Sequence, residues 1–487
     1  MISSTDVRNS TGSGVKTKKE KQHKFRWLAL FVLGLGVLSG VVDTSVVNVA
    51  TPAMMDEFNT TESHIAMVVT VYSLVTASFM LLFGKVGGKF GFRLLYAVGA
   101  GLFGLSSLLI ALSPSLMFVN SMRAVAGIGA AMGAASGLAL VHSIFKGEDR
   151  SLAFGIWGAT ASLGVAIGPI LGGWAVSQYS WRAAFLINIP ICLFVVLGCY
   201  LWVAEIKHDH DGTIDYFGAA LIGVGLFAII FALINGQTWG WWTASTNTSF
   251  LGFSPVPWLL VFGGILIIVV FPTWVHHLET HGREPIFDIG LLGYHSFRGG
   301  MLASLTRQVA QFAPGYALAI FLEEKAGWSA SQTGLIFITS AIGAVIAGPL
   351  SGLLANRWGT KPVVIGGKII MAISVLWILI VIDVDVNLAV LLVPLFLFGF
   401  SIGLAAAQLN TIVMTDVPLN KAGDASAAKS SISPLGNSFS AAFVAILITI
   451  SINDVLIMVL LFIAVALSIA FTLPNVKKGG GEKTAES

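Results

Sequence analysis

From Trp27 onward the chain is a succession of apolar runs separated by short polar, glycine-bearing or charged stretches. Each run is close to the ~20 residues that a helix needs to cross hydrocarbon. Fourteen can be marked, near 27–50, 64–84, 93–112, 116–140, 153–176, 183–204, 214–235, 256–277, 297–322, 332–355, 362–382, 388–413, 426–451 and 453–473. Backbone polar groups find no water inside lipid, so helices are the expected spanning element. The runs are too long for barrel strands of about 10 residues with alternating polarity. The fold class predicted is an all-α polytopic membrane protein. The segment MISSTDVRNSTGSGVKTKKEKQHKFR is polar and basic, and the apolar run behind it is too long for a cleavable signal. Residues 1–26 therefore read as a disordered cytoplasmic tail, and 475–487 read the same way.

Composition agrees with this pattern. Of 487 residues, 56% are hydrophobic and 10% charged, with mean hydropathy +0.87; a soluble domain carries about 25% charged residues. The basic residues also set an orientation. With both tails cytoplasmic, the inner segments hold seven bases between Arg8 and Arg26, then Lys85, Lys89, Arg93, Lys146, Arg150, Lys207, Arg283, Arg298, Arg357, Lys361 and Lys421. The outer loops hold only Arg182 and Lys325. This is the positive-inside pattern expected of a cell-membrane protein. Topology and lipid head groups account for the net charge of +3, and no nucleic-acid partner is implied. Cys192 and Cys199 share one face of the sixth run and read as packing residues rather than a disulfide framework.

The chain repeats itself. GKVGGKFGFR (Gly84 to Arg93) follows the second run, and GLLANRWGTK (Gly352 to Lys361) follows the tenth, an offset of 352 − 84 = 268 residues. Gly84, Lys89, Gly91 and Arg93 match Gly352, Arg357, Gly359 and Lys361. The domains expected are a six-helix bundle over 27–204, a linker with two extra helices over 205–295, and a second six-helix bundle over 296–474. Parallel halves of this kind belong to rocking transporters with a cargo site between the halves near mid-membrane. The two extra helices are expected at the periphery.

Five stretches then carry a family resemblance. VVDTSVVNVATP (41–52) resembles a first-helix signature, Asp-x-Thr-x-Val-x-Asn-x-Ala-x-Pro. The two loops resemble Gly-x-x-x-Asp-Arg-x-Gly-Arg-Lys. NSMRAVAGIGAAMG resembles a fourth-helix arginine motif, GVAIGPILGGW a fifth-helix antiporter motif, and WRAAFLINIP the start of a sixth helix. Together they resemble the major facilitator superfamily, in particular its fourteen-helix drug:proton antiporter branch, over about residues 27 to 474. The resemblance implies two six-helix bundles and export rather than import. There are departures. Gly88 and Asn356 stand where the loop motif has Asp, and Ala126 where the arginine motif has Gln; in the family that Asp helps lock the inner gate, so its absence implies a weaker lock.

Chemistry is concentrated in a few deep polar residues. A charge at mid-membrane costs roughly 2.5–3.5 kcal/mol on insertion scales, so it is usually functional or paired. Asp43 lies about 24 Å along the first run and Arg123 about 10 Å into the fourth, which runs the opposite way, so the two can meet. An acid whose basic partner comes and goes can take up and release a proton; a permanent salt bridge joining two helices is the alternative reading. Glu323 and Glu324 are weaker candidates. Gly164, Gly168 and Gly172, spaced by four and accompanied by Pro169 and Gly173, form a groove for close helix approach and a gating element, or else a static packing face. Arg307, Gln308 and Gln311 in the ninth run are candidates to line the cargo cavity, with Gln408, Asn410 and Asn48; a buried structural cluster is the alternative there. The gating candidates are the residues of the two loops and of the glycine groove.

No nucleotide-binding loop, metal cluster or nucleophile arrangement is present in the sequence, so neither an enzyme nor a cofactor is expected. The reading is a proton-coupled transporter, most simply an exporter of amphipathic small molecules working as a monomer in the bilayer. A dedicated transporter of one metabolite, such as an organic anion taken up, and a non-transporting sensor are the other classes.

Overall fold

The computed structural model describes residues 25–60, 62–146, 148–206, 214–244, 253–283, 285–328, 330–383, 387–418, 421–447 and 451–476. Most of the expected tails fall outside this set. Among the described residues the chain is all-helical. The first half holds α1 (Arg26–Phe58), α2 (Glu62–Phe90), α3 (Phe92–Ala111), α4 (Leu116–Ile144), α5 (Glu148–Gln178), α6 (Trp181–Leu186) and α7 (Asn188–Trp202). Then come α8 (Tyr216–Trp239), α9 (Pro255–Ile265) and α10 (Phe271–Thr280). The second half holds α11 (His295–Glu324), α12 (Ala330–Trp358), α13 (Thr360–Val381), α14 (Leu388–Val413), α15 (Ala422–Leu447) and α16 (Ile452–Thr472). Eleven helical stretches among the described residues are long and apolar enough to cross a membrane. The chain is a multi-pass membrane protein.

The elements differ from the expected runs mainly at their ends. The first run continues unbroken from 50 to Phe58, past Pro52, because a helix needs no apolar residues once it leaves hydrocarbon. The sixth run is broken at Ile187 into α6 and α7. The eighth is α9 and α10, joined by a π-helical segment at Leu266–Val270.

The repeated loops fold alike. Gly91 and Gly359 occupy matching positions with φ of +112° and +95°, a region that disfavours any side chain with a Cβ. Each begins the helix that follows it. Beyond each glycine, the matching base ties back to the end of its own half. Arg93 Nε lies 3.3 Å from the Glu205 carboxylate, and Lys361 Nζ donates to the Phe471 carbonyl at 2.5 Å.

The halves meet where α5 packs on α12 and α14, and where α15 packs on α2 and α4. Small residues bring these backbones together. A Cβ built on Gly84 would stand 2.9 Å from the Gly423 carbonyl oxygen, and one on Gly352 would stand 2.7 Å from Leu152 Cα. Ser426 donates to the Ala135 carbonyl at 2.7 Å and Ser430 to that of Ala134 at 3.2 Å. These contacts gather in the part of the bundle nearer Arg26 and Thr472, so the seam is closed at that end. The helix α8 lies along the seam: a Cβ on Gly223 would meet the Ser78 carbonyl at 3.0 Å, and Ile230 packs with Leu74, Ala77 and Leu435. Of the extra helices, α8 touches α2 of the first half and α15 of the second. The helix α9 and the π segment after it leave Val261, Phe262, Ile265, Ile268 and Val269 exposed on the outer surface.

Candidate functional site: a buried ion pair and a buried arginine cluster

The helices α1 and α4 run antiparallel, and their polar residues meet inside the first half. Asp43 and Arg123 are both completely buried and form an ion pair at 2.6 Å. The carboxylate is divided between partners: Oδ2 faces Arg123 Nη1, and Oδ1 accepts from Asn188 Nδ2 at 3.0 Å. The same Asn188 amide lies 3.3 Å from the Ser107 hydroxyl. Arg123 Nε donates to the Val68 carbonyl at 2.9 Å, and the guanidinium lies 4.3 Å from the centre of the Tyr72 ring. Two polar atoms of this cluster, Arg123 Nη2 and Asn188 Oδ1, are buried without a hydrogen-bond partner. An unmade hydrogen bond on a buried group costs about 1–3 kcal/mol, so the cluster is not a fully satisfied network.

The glycine groove of α5 holds this cluster in place. A Cβ on Gly164 would fall 2.8 Å from Val41 Cβ, and one on Gly172 would fall 3.0 Å from the Val46 side chain. Residues 41 and 46 bracket Asp43, so the groove seats the stretch of α1 that carries the acid. Gly168 is buried on the same line, whereas a Cβ on Gly173 would meet open space. The side chains of Pro169 and Asn48 lie outside the described residues, as do those of Glu323 and Glu324.

In the second half, Arg307 is held by two amides. Its Nη1 donates to Gln311 Oε1, and its Nη2 to Gln308 Oε1 at 2.8 Å. Gln308 passes the restraint to α15 by donating to Asn437 Oδ1 at 2.8 Å. Gln408 stands apart from this group. It is fully buried, and its Nε2 lies 3.1 Å from the Ser351 hydroxyl. Asn410 is half-buried on α14.

At the closed end of the seam, Lys85 of α2 and Asp424 of α15 form an ion pair at 3.0 Å. It joins the halves three residues before Gly88, the position where the loop departs from its motif. A Cβ on Gly88 would meet nothing within 4 Å. In the repeated loop, Asn356 is half-buried and Arg357 exposed. Outside the membrane at the opposite end, Glu57 accepts from Arg182 Nη1 at 2.6 Å and from Trp181 Nε1 at 2.7 Å. Those two bonds, Arg182's first, hold its carboxyl below the ordinary value. Lys421 is raised above the ordinary lysine value by its pair with Asp288.

The site was partly hidden from the sequence. Asn188 lies within WRAAFLINIP, yet its pairing with Asp43 leaves no mark on spacing. Tyr72, Ser107, Asp424 and Asn437 carried no signal beyond being polar residues in apolar runs.

Two bundles related by a repeated loop, a closed seam and polar residues buried at the centre define a membrane transporter. The chain belongs to the Major Facilitator Superfamily, whose family model matches residues 33–294 and 300–487. It is 29% identical over 411 residues to "Multidrug resistance protein Stp" of Mycobacterium tuberculosis, covering 84% of this chain and 73% of that protein. It is 27% identical over 401 residues to "Riboflavin transporter RibZ" of Clostridioides difficile, covering 82% and 83%. Among solved structures, the human organic anion transporter MFSD10 superposes with a TM-score of 0.68 over 91% of this chain and 99% of that one. At 14% identity that likeness shows the fold alone.

Proposed function

We propose that the chain is a proton-coupled antiporter that exports amphipathic small molecules by alternating access. It would do so as a monomer in the cell membrane, with fourteen spans and both termini in the cytoplasm. The observation that carries this reading is the Asp43–Arg123 pair: a single acid, fully buried, held by a base on a neighbouring helix and by Asn188. Such an acid takes up a proton when its partners withdraw and releases it when they return. With the termini cytoplasmic, the closed seam is the cytoplasmic gate, and the conformation faces outward. Lys85–Asp424, Gly84 and Gly352 then act as gate contacts, and Arg307, Gln308 and Gln311 face the cargo path. The names of relatives such as Stp support drug-like cargo.

The test is accumulation of a panel of cationic, neutral and anionic dyes in an efflux-deficient host, with and without a protonophore. Lower accumulation of several unrelated dyes, abolished by the protonophore, is expected. Unchanged accumulation across the panel would overturn the reading. A second reading, a dedicated transporter of one metabolite, is favoured by the relative RibZ. It requires that a single compound be moved and the rest of the panel ignored.

A further inference from the structure

Besides Arg307, the second half buries two more bases. Lys368 on α13 is 2% exposed and Lys429 on α15 is 7% exposed. Neither ammonium has a hydrogen-bond or ion-pair partner among the described residues, and each is close enough to Arg307 to feel its charge. Arg307, Lys368 and Lys429 are thus three buried bases contributed by α11, α13 and α15 of the same half.

Among the described residues no carboxylate pairs with Lys368, Lys429 or Arg307. Asp424, five residues before Lys429 on the same helix, is engaged by Lys85 across the seam. Asp416 and Asp383 are exposed. Asp43 is taken up in the first half by Arg123 and Asn188. Burying an unpaired charge is costly, and such residues inside a membrane bundle mark cargo or ion paths.

The Arg307 cluster is also built, not incidental. Gln311 and Gln308 fix the Arg307 guanidinium from two sides, Asn437 fixes Gln308, and a Cβ on Gly436 would press on the Gln308 side chain at 2.7 Å. Arg307 Nε remains buried without a partner. A preorganised fork with an unpartnered Nε, in a half that buries two further unpaired ammonium groups, matches a group that accepts on two or three oxygens.

We infer that the second bundle holds an anion site, with Arg307 receiving and Lys368 and Lys429 flanking the carboxylate, sulfonate or phosphate group of an amphipathic cargo. This rests on the transporter reading above and names its substrate class. Gln308, Gln311 and Asn437 are positioning residues that keep the Arg307 fork aimed. The proton acid and the anion site then lie in opposite halves, one titrating and the other holding the cargo by charge.

The experiment uses the full chain in phosphatidylcholine nanodiscs, with fluorescein as the anionic probe and rhodamine 123 as a cationic probe of similar shape, read by fluorescence polarisation. Fluorescein is expected to bind at least tenfold more tightly than rhodamine 123. Lys368→Met and Lys429→Met, which keep the length of the side chain without its charge, should each weaken fluorescein binding at least fivefold. The ligand-free melting temperature of these variants should rise, because a buried like charge has been removed. Arg307→Lys should weaken binding while keeping the fold, since the charge stays but the fork is lost. Equal binding of the two probes by the unaltered protein would overturn the inference, and so would variants that bind fluorescein unchanged. Adding phosphatidylglycerol tests the other source of an anion. Displacement of fluorescein by that lipid would reassign the site to a lipid head group and overturn the cargo assignment. Protonophore-sensitive export of a cationic dye without fluorescein binding would sink this inference alone. Fluorescein binding with no uphill transport of any dye would sink the export reading and leave the anion site standing.

Discussion

Lys85 and Asp424 meet at 3.0 Å across the seam, each largely buried, joining α2 of one half to α15 of the other. The acid that the loop motif places at position 88 is absent, and a pair with its base near the end of α2 and its acid on the opposite helix joins the halves instead. Asp424 lies in the first turn of α15, where the exposed backbone N–H groups favour negative charge. Removing one partner of a buried pair costs about 3 kcal/mol, enough to shift a two-state gate by about a hundredfold. Lys85→Asp and Asp424→Lys should each open the seam, raising cysteine labelling from the terminal side. The double exchange should restore protection. A double variant as labile as the singles would mean that the pair is not a lock.

Gly88 offers an independent handle on the same gate. Its surroundings are open, so Gly88→Asp adds a carboxylate without a clash. The new acid should join Lys85 or a neighbouring helix terminus and lower labelling from the terminal side, by an amount of order 1 kcal/mol or less. Unchanged labelling would indicate that the loop no longer acts through this position.

Asp43 separates proton coupling from simple cohesion. Asp43→Asn keeps the shape but leaves Arg123 buried and unneutralised, at a cost of about 3 kcal/mol. Pairing it with Arg123→Gln removes both charges and should recover most of the lost melting temperature. Under the coupling reading, neither variant transports against a gradient driven by pH, while exchange of cargo for cargo persists. If the double variant regains pH-driven transport along with its stability, the pair is only structural.

Glu57 predicts a limited acid response at the end of the bundle away from the termini. Arg182 and Trp181 hold its carboxyl below the ordinary value of 4.5. A lowered folded-state value means that the stabilisation is complete above the unfolded value and is lost as pH falls through the folded one. The window is therefore below about pH 4.5, and the side chains are 42% and 31% exposed, so the effect is about 1 kcal/mol or less. Melting curves of the unaltered protein and Glu57→Gln should differ at pH 6 and converge near pH 3. A constant difference across that range would rule out this pair as the source.

Gly91 and Gly359 should not tolerate alanine. At φ of +112° and +95°, a Cβ costs about 1–2 kcal/mol in backbone strain alone. At Gly91 it would also press on the Glu205 carboxylate, which Arg93 uses to tie the loop to the end of α7. Gly91→Ala should lower the melting temperature more than alanine at Gly88, where a Cβ meets open space. Equal losses at the two positions would show that the turn is not strained.

What the sequence determined by itself is what depends on near neighbours along the chain. Apolar runs of spanning length can form little but helices in lipid, because each backbone group must be satisfied within its own segment. The repeated loop was legible because glycine at a positive φ and a base two residues later are local requirements, and both recur at an offset of 268 residues. Even the Asp43–Arg123 meeting could be derived, since a fixed rise per residue turns two positions on antiparallel helices into two depths. Depth, however, says nothing of which faces turn toward each other. Only the tertiary structure decided that Asn188 completes the Asp43 carboxylate, that Lys85 finds Asp424, that α8 lies along the seam, and that Lys368 and Lys429 are buried in the same half as Arg307. The physical reason is that helices in lipid are distinguished from one another by lateral packing of small and polar residues, not by hydrophobicity. That packing joins positions on different runs, far apart along the chain, and no pattern within a single run records it.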